Sequence, residues 1–78
     1  MTEKQIYERL ESVFTDIFDE EIKLSAETTA EDVEDWDSLT HISLISAVEA
    51  EFGVRFKMKE VSAMKNVGEM VAIISERA

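Results

Sequence analysis

The sequence predicts an all-α fold: a small bundle of three main helices plus one short helix. Three observations carry that prediction. Pro is absent and Gly occurs only at Gly53 and Gly68, so residues that punctuate turn-rich chains are scarce. Glu, Ala, Ile and Leu, which tolerate or favour helix, are abundant. Apolar residues recur at helical spacing in three separate stretches.

The first helix is expected from about Glu3 to near Phe18. Thr2 followed by Gln5 matches a capping box, and Ile6, Leu10, Val13, Phe14 and Ile17 form one apolar stripe. Residues 19–37 lack that periodicity and read as a long loop. Ile22 and Leu24 are expected to pin it to the core, with local turns at Thr28 and Thr29. A loop of this length in a small domain is uncommon and usually functional.

A second helix is expected to begin at Asp37 or Ser38. Asp is a good N-cap, and its charge suits the positive end of the helix dipole. Leu44, Ile45, Val48 and Phe52 form its buried stripe, and Leu39, Ile42 and Ser46 an adjoining one. Gly53 supplies a stop, and Val54-Arg55-Phe56 is an extended link. Residues 58–63 suit one or two helical turns with Val61 pointing inward. Asn66 caps a last helix through Glu69, with Val67, Met70, Val71 and Ile74 on its inner face. The aromatic residues Phe14, Phe18, Phe52 and Phe56 read as core, and Met58, Met64 and Met70 as gap-fillers.

A chain of 78 residues suits one domain, residues 1–78, with a core small enough to be marginal. No Cys is present, which removes disulfides, Cys-based zinc sites and thiol nucleophiles. One His cannot build a histidine metal cluster. The chain is 45% hydrophobic and 33% charged, enough apolar content for a folded core.

The net charge is −10 and is unevenly placed. Residues 1–52 hold 15 acids and 3 bases, whereas residues 53–78 hold 3 acids and 5 bases. Nucleic acid and anionic lipid surfaces are therefore disfavoured partners, and basic protein surfaces are favoured ones. No segment has the length and apolarity of a membrane span, and the first residues do not read as a signal peptide. The expectation is a cytoplasmic monomer with no membrane insertion.

The informative stretch is Asp37-Ser38-Leu39, opening a helix that runs to Glu49-Ala50-Glu51-Phe52-Gly53. A serine hydroxyl at a helix N-terminus is expected to be exposed and to face free backbone N–H groups able to stabilise a phosphate. Serine alone is a poor nucleophile without an adjacent base. His41 lies three residues on, but there is no evident triad and no Gly-rich turn to form an oxyanion hole. Ser38 thus reads as a substrate of another enzyme, and the chain as not itself an enzyme.

This pattern resembles the acyl carrier protein family, in which Asp-Ser-Leu precedes a helix ending in acids, Phe and a turn. The resemblance extends over the whole chain: its length, first helix, long loop, acidity, and a last helix opening with Val67-Gly68-Glu69. It implies that a phosphopantetheinyl transferase attaches 4′-phosphopantetheine from coenzyme A to Ser38, and that the thiol then carries an acyl group as a thioester. It also implies a docking face for acyl-loading and acyl-processing enzymes with basic surfaces. Asp37 matches the acid beside the modified serine. Leu39, Ile42 and Ser46 match positions of the recognition helix, and Glu49 one of its acids.

The chain departs from members that serve fatty acid synthesis. Asp35 stands where those usually have Gly. Thr40, Ser43 and Ala50 replace acids, and Ser46 replaces a large apolar residue. A carrier dedicated to one specialised pathway, of polyketide, peptide, polysaccharide-linked or modified-lipid type, is the expectation. The alternatives are an aminoacyl or peptidyl carrier loaded by an adenylating enzyme, and an acidic adaptor that is never modified.

Other residues have plainer readings. The acidic run Glu31 to Asp37 is a solvated loop; it lacks EF-hand spacing, and weak ion binding would relieve its self-repulsion. Trp36 either shields the loop base or contacts the prosthetic arm. Arg55, Lys57 and Lys59 are a solvated link, too sparse for a nucleic-acid patch.

Overall fold

The computed structural model describes all 78 residues as α1 (Glu3–Phe18), α2 (Ser38–Phe52), α3 (Met58–Ala63) and α4 (Val67–Arg77), with a single 3-10 turn at Ala30–Asp32 in the long loop. Helix α1 packs on α2 and on α4.

The local chemistry at each terminus explains these bounds. At α1, the Thr2 hydroxyl accepts from the Gln5 N–H at 3.2 Å, and the Gln5 side chain accepts from the Thr2 N–H at 2.8 Å. The expected capping box is present. The helix ends at Asp19, whose φ of 54° is left-handed, a conformation that Asp tolerates better than most residues. Helix α2 ends at Gly53, with φ 66° and its N–H bonded to the Glu49 carbonyl at 2.9 Å. At α4 the Asn66 side chain accepts from the Glu69 N–H at 3.0 Å.

One core unites the helices. Ile6, Leu10, Phe14, Leu44, Val48, Val67, Met70 and Ile74 are all fully buried. The α2 stripe of Leu44, Ile45, Val48 and Phe52 and the α4 stripe of Val67, Met70, Val71 and Ile74 are buried as expected. On α1, Phe18 is buried, and Ile17 only packs against the core's edge. Phe56 and Val61 are likewise partly buried.

The long loop is tied down by single contacts. Ile22 and Val33 are buried and Leu24 is partly so. The Leu24 N–H donates to the Glu11 carboxylate at 3.0 Å. Thr28, the one buried polar residue, accepts through its hydroxyl from the Ser25 N–H at 2.9 Å, and its carbonyl accepts from the Val67 N–H at 2.9 Å. The Gly68 N–H donates to the Ala26 carbonyl at 3.0 Å, and a Cβ at Gly68 would lie 3.0 Å from that oxygen. Gly68 thus lets the loop lie close against α4.

Two ion pairs close the outside. Arg9 on α1 donates to the Glu51 carboxylate and carbonyl, each at 2.7 Å, and lies over the Phe52 ring at 5.0 Å. Arg77 on α4 donates to the Glu60 carboxylate on α3 through Nη1, at 2.7 Å, and Nη2. No helix is long and apolar enough to cross a membrane.

Candidate functional site

Ser38 is the first residue of α2 and is exposed. The residue before it organises the helix mouth. Asp37 Oδ1 accepts from the Leu39 and Thr40 N–H groups, both at 3.0 Å. The Thr40 hydroxyl returns the contact, accepting from the Asp37 N–H at 2.7 Å and donating to the Asp35 carbonyl at 2.9 Å. The Thr40 N–H and hydroxyl, ahead of the Leu39 N–H, hold the Asp37 carboxyl below the usual carboxylate range. A charged carboxylate is the better acceptor, and it sits at the positive end of the dipole.

This corrects one expectation. The N–H groups after Ser38 do not stand free for a phosphate: Leu39 and Thr40 are capped by the Asp37 side chain, and the His41 N–H bonds to the Asp37 carbonyl at 2.8 Å. A good N-cap satisfies the donors that an anion would otherwise use. What the geometry offers is an accessible hydroxyl on a rigid helix start.

His41 is not a base for that hydroxyl. Its Nδ1 accepts from the Trp36 indole N–H at 3.1 Å, and its Nε2 lies 3.3 Å from the Val61 carbonyl. Indole N–H can only donate, so Nδ1 is the acceptor and Nε2 carries the proton given to Val61. Both nitrogens are committed to structure. No three His, Cys, Asp or Glu side chains gather as a metal site.

Beside Ser38 lies a groove of about 500 Å3 between α2 and α3. Asp37, Ser38 and Ile42 line one side, and Met58, Val61 and Met64 the other. Met58 is not a gap-filler: it is 82% exposed at the start of α3. Met64 is half-buried and Met70 fully buried. Leu39 and Ile42 are 79% and 67% exposed.

Leu39, Ile42, Ser46 and Glu49 share one face of α2, as the helical period requires. Ser46 is exposed, whereas Glu49 is half-buried, with one carboxylate oxygen accepting from the Phe56 N–H at 2.8 Å. The α3 residues facing Ser38 were missed from sequence because a six-residue helix has no long stripe to reveal its register. Thr40 could have been found: Asp37 with Thr40 three residues later is a variant of the capping box.

Comparison with known proteins places the chain in a family. Residues 8–74 match the family described as the phosphopantetheine attachment site. An acyl carrier protein of Petrotoga mobilis is 32% identical over 80 residues, covering 99% of this chain and 92% of that protein. The solution NMR structure of holo acyl carrier protein from Geobacter metallireducens superposes with a TM-score of 0.86 at 33% identity, covering 92% of this chain and 84% of that one. The unmodified adaptor is thereby set aside. Fold and sequence agree: the chain belongs to the acyl carrier protein family, whose members bear a covalent phosphopantetheine and are carriers, not catalysts.

Proposed function

We propose that Ser38 is the attachment point, and that the protein tethers acyl intermediates as thioesters and delivers them to partner enzymes of a specialised biosynthetic pathway. The observation that carries this reading is the exposed Ser38 hydroxyl at the start of α2, on the rim of a groove and beside exposed Leu39, Ile42 and Met58. In the transfer step, Ser38 Oγ bonds to the pantetheine-side phosphorus of coenzyme A. The pyrophosphate bond breaks, adenosine 3′,5′-bisphosphate leaves, and the hydroxyl proton passes to a base on the transferase. Tethering then makes each later encounter intramolecular, at a raised effective concentration.

Asp37, Leu39, Ile42, Ser46 and Glu49 form the proposed docking face for the transferase and for acyl-loading and acyl-processing enzymes. Apolar side chains flanked by Asp37 and Glu49 suit partners with basic groups beside an apolar patch. The thinness of acid on this face, with Thr40, Ser43 and Ala50 in place of carboxylates, supports a dedicated pathway. The whole chain acts as a single carrier domain, and a cytoplasmic monomer fits a protein that must visit several soluble enzymes.

Intact mass after co-expression with a phosphopantetheinyl transferase tests the reading. The expected result is a gain of one phosphopantetheine, absent in Ser38→Ala. Loading of the holo protein by acyl-activating and by amino-acid-adenylating enzymes then separates acyl from aminoacyl cargo. No mass gain with several broad-specificity transferases would overturn it.

A further inference from the structure

The groove beside Ser38 has a floor, made by two side chains that a carrier's attachment chemistry does not require. The half-buried Trp36 meets the ring of fully buried Phe14 edge-on, with centroids 5.2 Å apart, and that of Phe18 at 6.3 Å. His41 lies nearly parallel to Trp36, 5.9 Å away at 29°. The indole N–H donates to His41 and His41 donates to the Val61 carbonyl. The end of the long loop, α2 and α3 are thereby laced together under the groove. Trp36 and His41 both line the groove on their upper side.

A chain arriving from Ser38 therefore meets this hydrogen-bonded aromatic pair before it meets Phe14. To pass inward it must lift Trp36 from two aromatic rings and break both hydrogen bonds. The indole N–H and the Val61 carbonyl would be left without partners beside apolar side chains, which is the expensive way to lose a hydrogen bond. The groove's volume of about 500 Å3 is that of a small-molecule cleft.

We propose that Trp36 and His41 determine cargo specificity: as the groove's floor they keep the acyl group out of the bundle core, so that the protein does not select its cargo by burying longer chains. This rests on the carrier reading above. Burial in the core would instead select for chain length through added apolar area.

The test uses the full-length protein prepared in its apo form. A broad-specificity transferase loads it from acetyl-, butyryl- and decanoyl-coenzyme A. Hydroxylamine cleavage of each thioester is then timed against the free acyl-coenzyme A, and each loaded form is melted. The wild-type decanoyl thioester is expected to be cleaved nearly as fast, relative to its free counterpart, as the acetyl one, with an unchanged melting temperature. In Trp36→Ala, and in Trp36→Leu should the Ala variant fail to fold, the decanoyl thioester is expected to be cleaved several-fold more slowly and to raise the melting temperature. Protection of decanoyl in the wild type, or none in a folded variant, would overturn the proposal. An intact mass that never gains an arm overturns the carrier reading itself and is read before any acyl comparison.

Discussion

The indole N–H of Trp36 donates to Nδ1 of His41 at 3.1 Å, and this one bond fixes the tautomer of the only histidine in the chain. It leaves Nε2 to serve the Val61 carbonyl at 3.3 Å. Trp36→Phe keeps an aromatic ring against Phe14 but deletes the donor, stranding Nδ1. His41 is half-buried and lines the groove, so the loss is expected to be that of an ordinary hydrogen bond, about 0.5–1.5 kcal/mol. Urea unfolding followed by far-ultraviolet circular dichroism is expected to show a lower midpoint with an unchanged slope. An unchanged midpoint would mean that the bond contributes nothing.

Gly53 closes α2 at φ 66°, with nothing within 4 Å of the place a Cβ would occupy. Gly53→Ala therefore tests backbone conformation without a steric clash. The left-handed conformation costs a side-chain-bearing residue roughly 1–2 kcal/mol. For a domain of this size, each kcal/mol lowers the melting temperature by about 4–8 °C. Thermal unfolding at neutral pH gives the number directly.

The Glu60 carboxyl is pulled from 4.5 to about 2, first by hydrogen bonds from Arg77 and then by the Lys57 N–H. A depressed folded value means that the carboxylate's contribution is fully present above the unfolded value and is lost as pH falls through the folded one. Wild type is thus expected to melt a few degrees above Glu60→Gln near neutral pH. The gap should begin to close below pH 4.5 and should have largely vanished near pH 2. A gap that persists at the acid end would mean that the loss comes from packing of the side chain and not from its charge.

The concentration of 15 acids against 3 bases in residues 1–52 makes self-repulsion larger than the gain from the exposed Arg9–Glu51 pair, since such pairs contribute about 0–1 kcal/mol. Raising ionic strength from about 0.01 to about 0.15 M shortens the screening length from about 30 to about 8 Å. The melting temperature is expected to rise by several degrees, and magnesium should do so at lower concentration than sodium. A fall with salt would show that the ion pairs outweigh the repulsion.

Helix bounds were legible from sequence wherever a cap and a stripe coincide. Thr2 with Gln5 started α1, Asp37 started α2, Gly53 stopped it and Asn66 started α4, because each acts on backbone groups within four residues of itself. The loop was legible in its two aliphatic pins and in the turns at Thr28 and Thr29, but not in its long-range ties. Its ties run from Leu24 to Glu11 and from Thr28 to Val67, and no local rule pairs such distant residues. The site divides in the same way. Ser38 and Asp37 stood out as neighbours in the chain, whereas the floor under the groove joins Trp36, His41 and Val61 from three segments. Met58 looked like a core residue by its type; its place at the first turn of a short helix leaves it in water.

Fragment mass spectrometry of the modified protein tests the central claim most directly, because the chain holds seven serines and only one begins a helix beside the groove. Peptides spanning residues 31–42 are expected to carry the whole phosphopantetheine mass, assigned by fragment ions to Ser38. The arm found on Ser25, Ser43, Ser46 or any other residue would contradict the account.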